Sequence, residues 1–193
     1  MSRINPLYHH SKDKLREELE WIQLAKSDPR RFAPLYEKYH EQIFRYIYQR
    51  MDDIDLAHDV TSQVFLKAMK NIKRYEYRGV PFGSWLYRIA KNELYQAFRD
   101  RKAQRTVNVE TVHLASFIEV FKEEETEKNK KRLFQSLSVL KEADLQLIEM
   151  RYFEERPYRE IGEILGITED NAKVKSFRAI YKLKQIFNKN TRE

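Results

Sequence analysis

Residues 78–105 read RGVPFGSWLYRIAKNELYQAFRDRKAQR, and both the fold class and the function of the chain turn on this stretch. From Phe82 on, Leu86, Ile89, Ala90, Leu94, Ala97 and Phe98 recur at steps of three and four, which places them on one buried face of a helix. A second set, Arg88, Lys91, Asn92, Tyr95, Arg99 and Lys102, keeps the same period on a different side. One surface of the helix therefore carries cations, an amide and an aromatic ring. Such groups neutralise phosphates, hydrogen-bond base edges and stack on unpaired bases. Ahead of the helix, Arg78, Gly79, Pro81 and Gly83 stop the preceding element and bend the chain, with Tyr75, Tyr77 and Phe82 adding rings around the bend. A basic helix face is by itself often no more than a solvated one, so the weight of this reading comes from the rest of the chain.

The chain has 193 residues, 41% of them hydrophobic and 35% charged, enough for one large or two small domains with modest cores. Only four glycines and five prolines occur, too few for the tight turns of an all-β fold, and long stretches follow helical periodicity. The expected fold class is all-α, with two small helical domains joined by a flexible acidic linker. Cysteine is absent, which excludes disulfides and cysteine-type zinc sites and suits a reducing interior. No apolar run approaches the ~20 residues that span a bilayer, and the polar start MSRINPLYHHSKDK has no signal-peptide core. The expectation is a cytoplasmic protein with no membrane insertion.

The net charge of +7 is distributed unevenly. Residues 1–77 carry +2, residues 78–105 carry +5, residues 106–127 carry −5 and residues 128–193 carry +5. Two basic blocks flanking an acidic connector fit two sites on one polyanion with a tether between them.

Along the chain, residues 1–12 read as disordered, and 13–105 as a first domain. A helix is expected over 13–26, with Leu15, Leu19, Ile22 and Leu24 or Ala25 inward. Asp28 caps a second helix, with Pro29 in its first turn, running to about Arg50 on Phe32, Leu35, Tyr36, Tyr39, Ile43, Phe44 and Ile47. A third begins near Asp53 or Asp55 and buries the ladder Leu56, Val60, Val64, Ala68 and Ile72. Phe65, Leu66 and Met69 widen that ladder beyond one side, which leaves apolar surface for a partner. Asp55, Asp59, Gln63 and Lys67 form its polar side.

Residues 106–127 are the acidic linker, and 128–193 the second domain. There Leu133, Leu137, Val139 and Leu140 mark one helix, and a second runs from about Lys141 to Phe153. Next comes a short helix on Tyr158, Ile161, Ile164 and Leu165, ended by Gly166. Thr168 caps a last helix that turns Ala172, Ser176, Ala179, Ile180, Leu183, Ile186 and Phe187 inward. Asn171, Lys173, Lys175, Phe177, Arg178, Tyr181 and Lys182 stay outside. This is a helix-turn-helix, whose second helix enters the major groove.

With both blocks in hand, the chain resembles the sigma-70 family of bacterial RNA polymerase sigma factors, in its small extracytoplasmic-function (ECF) type with regions 2 and 4. The passages that carry the resemblance are LYEKYHEQIFRYI (35–47), DLAHDVTSQVFLKAMKNIKRY (55–75), PFGSWLYRIAKNEL (81–94) and YREIGEILGITEDNAKVKSFRAIYKL (158–183). The resemblance implies that 13–105 is region 2 and that 128–193 contains region 4. Asp55, Asp59, Gln63, Phe65, Leu66 and Met69 would grip the β′ clamp helices of core RNA polymerase. The loop and helix with Arg88, Lys91, Asn92, Tyr95 and Arg99 would recognise the −10 element of promoter DNA, Asn92 lining the pocket for a flipped base. Asn171, Lys173, Lys175, Phe177 and Arg178 would read the −35 element, the apolar grooves of region 4 would hold the β flap, and the connector would thread toward the RNA exit path. An anti-sigma factor is a further partner that such a resemblance brings with it. Ala172 and Ser176 depart from the family pattern, which has Val and Leu there.

Two other classes compete. A conventional helix-turn-helix regulator would bind DNA without core polymerase. An enzyme fits poorly, because there is no phosphate-binding glycine loop and His9, His10, His40, His58 and His113 lack metal-ligand spacing. No cofactor is expected.

Overall fold

The computed structural model describes residues 12–51, 53–100 and 126–189, and among these every regular element is helical. Lys102, most of the disordered start and nearly all of the acidic connector expected from sequence lie outside the described residues. The chain divides into two compact units: among the described residues, 12–100 with 163–165 form the first, and 126–162 with 166–189 the second.

In the first unit, α1 spans Lys12–Ser27, α2 Ala33–Tyr48, α3 Ile54–Asn71 and α4 Phe82–Arg99. Asp28 acts as the expected cap, accepting from the Arg30 amide at 3.0 Å, but the turn it starts is a 3-10 helix over Pro29–Phe32 rather than the first turn of α2. Pro34 explains the break: it has no N–H to bond back into the preceding turn, so the α-helix proper begins with it at an N-terminal position. Asp53 caps α3 by accepting from the Leu56 amide at 3.0 Å. After Asn71 a 3-10 turn over Ile72–Arg74 carries the chain into an irregular segment that ends at Pro81.

The core of this unit is built from Leu35, Tyr39, Ile43 and Ile47 of α2, Val60, Val64 and Ala68 of α3, and Leu86, Ala90, Leu94 and Ala97 of α4. Ile89 and Phe98, expected in the same stripe, sit at its edge, half-buried. On α1 the expected apolar side is only partly realised. Ile22 and Ala25 are buried and Leu24 is exposed, while the carboxylate Glu18 is buried.

In the second unit, α5 spans Glu127–Ser138, α6 Glu142–Ile148, α7 Tyr158–Leu165 and α8 Glu169–Lys189. Val139, expected inside, is exposed, because α5 ends at Ser138 and the chain turns outward before Leu140 returns to the core. The helix expected through Phe153 instead widens into a π turn over Glu149–Phe153, closed by the Glu154 amide on the Glu149 carbonyl at 2.9 Å. Glu155 then takes a left-handed conformation (φ 53°), which ends the helix two residues before Pro157. The buried Arg156 guanidinium pairs with Glu154 and, at 3.5 Å, with Glu160, so a charge left inside by this turn is neutralised on both sides.

Candidate nucleic-acid interfaces

The first candidate surface lies on α4. At 3.6 residues per turn, Arg88, Lys91, Asn92, Tyr95 and Arg99 fall within about 100° of arc, opposite the buried Leu86, Ala90, Leu94 and Ala97. Asn92 and Arg99 are exposed, and Arg88, Lys91 and Tyr95 are half-buried. Four of the five side chains are polar, the fifth is a ring, and none of the five is carboxylate, so the face offers donors and a stacking surface to an anion.

Packing fixes where this face starts. Gly83 brings α4 against Tyr39 of α2 so closely that a Cβ there would lie 2.5 Å from the tyrosine ring. The Phe82 ring is buried among Phe32, Tyr39, Tyr75 and Trp85, with centroids 5.0 to 6.3 Å away. Of the three rings expected around the bend, Phe82 and Tyr75 therefore belong to the core, and Tyr77 is the exposed one. Burial, reinforced by the nearby Glu18 carboxylate, pushes the Tyr75 phenol up, so that ring stays neutral. On the far side, Lys67 of α3 donates to both oxygens of Glu93 at 2.7 Å, which ties α3 to α4 away from the cationic face.

The candidate partner surface on α3 is also a face. Asp55, Asp59, Gln63, Leu66 and Met69 lie within about 120° of arc; the first four are exposed and Met69 half-buried. Phe65 is the exception. It is buried, packing edge-on against Tyr36 of α2 at 4.8 Å, so the wide apolar ladder divides into a core ring and an outward Leu66.

The third surface is α8. The α7–α8 corner is tight: Gly166 takes φ 71°, and a Cβ on Gly162 would stand 2.7 Å from the Ile167 carbonyl oxygen. Thr168 accepts from the Asn171 amide at 3.2 Å and so starts α8 where the sequence placed it. Ala172, Ser176, Ala179, Leu183 and Phe187 are buried, and the Ser176 hydroxyl donates to the Ala172 carbonyl at 2.8 Å. A serine at this buried helix position thus satisfies its own polar group. Asn171, Lys173, Lys175, Phe177 and Arg178 are all exposed. Lys182 is outside as expected and is held there by Asp144 of α6 at 2.6 Å. Val174 is exposed too, three and seven residues before the exposed Phe177 and Tyr181. Val174 is not among the residues expected outside from sequence; its spacing to those two rings is the signal that marks it. An apolar ridge flanked by Lys173 and Lys175 is an arrangement that meets base edges and phosphates together.

Comparison with known proteins accords with both units. The profile Sigma-70 region 2 matches residues 35–104, and Sigma-70, region 4 matches residues 136–185. ECF RNA polymerase sigma factor BldN of Streptomyces coelicolor is 26% identical over 175 residues, covering 90% of this chain and 66% of its own length. ECF RNA polymerase sigma factor SigM of Bacillus subtilis is 24% identical over 159 residues, covering 82% of this chain and 96% of its own. Among solved structures, CnrH in complex with the cytosolic domain of CnrY superposes with a TM-score of 0.60 at 17% identity, covering 89% of this chain and 97% of that one, a likeness of fold. With two family regions matched in order, each on its own helical unit, the chain belongs to the sigma-70 family of RNA polymerase sigma factors, in its ECF group.

Proposed function

We propose that this chain binds core RNA polymerase and directs promoter-specific initiation of transcription, reading the −35 element with α8 and the −10 element with α4. The observation that carries this reading is that each matched unit sets a cation-bearing helix face outward while burying the opposite side. Two short DNA-reading faces on separate units suit one duplex contacted at two places. On α4, Arg88, Lys91 and Arg99 meet phosphates, Tyr95 stacks on an unpaired base, and the exposed Asn92 amide hydrogen-bonds a base edge. On α8, Lys173, Lys175 and Arg178 meet the −35 duplex, with Asn171 and Phe177 beside them.

Asp55, Asp59, Gln63, Leu66 and Met69 of α3 form the surface for the β′ clamp helices, with Phe65 supporting it from inside; the grooves of the second unit take the β flap. The bounds 13–105 and 128–193 serve as the working limits of the two domains, with 106–127 as the acidic tether. The chemistry of RNA synthesis belongs to the core enzyme, and this chain acts by placement rather than as an enzyme, without a cofactor. Its site of action is the cytoplasm, where the template lies; none of the described helices is long and apolar enough to cross a membrane. An inhibitory anti-sigma partner fits the same reading, since CnrH was solved with a bound protein segment.

The test is a gel shift of promoter DNA with this chain alone, with core polymerase alone and with both. Specific retention only with both supports the proposal, and equal specific retention by the chain alone supports a conventional helix-turn-helix regulator instead. In the holoenzyme, Asn92→Ala is expected to slow promoter opening while core binding stays unchanged; permanganate footprinting of the −10 region reads the first and a pull-down the second.

A further inference from the structure

The region 2 match begins at residue 35, so α1 lies ahead of it. Yet α1 touches the reading segment at both ends. Lys26 donates its amino group to the Tyr75 carbonyl at 2.7 Å, where the chain leaves α3 and its 3-10 turn. Glu18, about two turns earlier, accepts from the Phe82 amide at 2.8 Å, the first residue of α4. The residues between these two anchors, 76–81, form the bend that leads into the cationic face.

Glu18 and Lys26 share a side of α1 with Ile22 and Ala25, at steps of four, three and one, and are separated by about 12 Å along the helix axis. Ile22 and Ala25 are buried and seat that side on the unit. Pro81 gives α4 no side-chain cap. The carboxylate of Glu18, reaching across from another helix, takes that place at the positive end of the α4 dipole. The same carboxylate also accepts from Lys38 at 2.8 Å and from the Tyr39 hydroxyl, and Tyr39 is the ring on which Gly83 rests. Two polar side chains of α1, Glu18 and Lys26, thus reach the backbone of one segment, while apolar packing among α2, α3 and α4 closes the core.

We infer that α1 is a positioning strut for the −10 reading segment, with Lys26 and Glu18 as positioning residues that hold residues 75–82 in the conformation that receives an unpaired strand. The inference rests on the functional reading above and adds to it a role for a helix outside the matched region.

Lys26 gives the cleaner test, because it is half-buried at the end of α1 and its stem can stay packed when the amino group is removed. Holoenzyme is assembled from core polymerase and the full chain as wild type, Lys26→Met or Lys26→Arg. Opening is followed by 2-aminopurine fluorescence in the −10 region of a promoter selected by the wild-type holoenzyme from a randomised duplex pool. Urea midpoint, core affinity and affinity for the unopened duplex are measured on the same samples. The expected result is an opening rate about tenfold lower for Lys26→Met, the factor for losing one charge-assisted hydrogen bond to the segment. Core affinity and closed-duplex affinity stay within about twofold of wild type, and Lys26→Arg, which keeps a donor, recovers most of the rate. Equal opening by Lys26→Met and wild type overturns the strut. So does a parallel fall of opening, core affinity and urea midpoint, or a failure of arginine to rescue. A wild-type holoenzyme that opens no promoter overturns the functional reading itself, and the strut with it.

Discussion

Gly83→Ala adds one methyl group at a close contact between α2 and α4. The new Cβ would stand 2.5 Å from Cε1, 3.1 Å from Cδ1 and 3.2 Å from Cζ of Tyr39. That is roughly 1 Å inside the ~3.5 Å at which carbon atoms rest. Tyr39 cannot simply swing aside, because its ring is buried beside Phe82 and its hydroxyl is held by the buried Glu18 carboxylate. Overpacking of this kind destabilises by about 1–3 kcal/mol. Alanine returns up to ~1 kcal/mol through helix propensity, and less than that at the second residue of α4. The net expectation is a loss of about 1–2 kcal/mol, which for a unit of this size lowers Tm by roughly 5–15 °C. Differential scanning calorimetry of wild type, Gly83→Ala, Tyr39→Leu and the double variant measures it, the leucine removing the ring that the methyl strikes. The methyl should do less harm in the Tyr39→Leu background than in wild type. A Gly83→Ala protein as stable as wild type, or an equal effect in both backgrounds, would refute the argument that this glycine is there for close approach.

Gly162→Ala should be at least as damaging to the second unit, because the methyl meets the Ile167 carbonyl oxygen at 2.7 Å and backbone yields less than a ring; thermal unfolding followed by circular dichroism reads the loss, and an unchanged transition counts against the tight corner. Leu66→Asp is expected to leave folding intact, since Leu66 is exposed, and to weaken core polymerase binding by about 1–2 kcal/mol if it is an interface anchor; an unaltered Kd in fluorescence anisotropy removes it from that surface. Lys173→Ala or Arg178→Ala should weaken binding to the −35 duplex by about 1–3 kcal/mol if a base contact is lost. Equal affinity of variant and wild type, measured at fixed salt, takes the residue out of the interface.

The parts of the fold that sequence made legible are those where period and punctuation agree. α4 was readable end to end because its apolar steps of three and four run unbroken from Phe82, and the α7–α8 corner because Gly166 and Thr168 mark it with residues that the backbone geometry requires. The π turn after α6 was not, since it depends on which carbonyl an amide chooses rather than on residue type, and the 3-10 start before α2 was hidden because Pro34 is equally tolerated early in one longer helix. Phe65 and Leu66 stand side by side on α3 and face inward and outward; only the position of Tyr36 on α2 decides which is which. Glu18 was the least legible residue of all. One glutamate among several on a charged helix reads as solvated, and its partners, Lys38, Tyr39 and Phe82, lie 20, 21 and 64 residues away. The candidate DNA faces, by contrast, were readable because a cation that repeats with helical period opposite an apolar stripe has to point outward.

The most direct measurement of the central claim is in vitro transcription from a pool of promoter fragments by core polymerase with and without this chain, with the 5′ ends of the transcripts mapped. The account predicts that adding the chain creates start sites at fixed distances downstream of one paired −35 and −10 motif, and that Asn92→Ala and Arg178→Ala each reduce initiation there. Start sites that do not change when the chain is added, or that survive scrambling of both motifs, would contradict it.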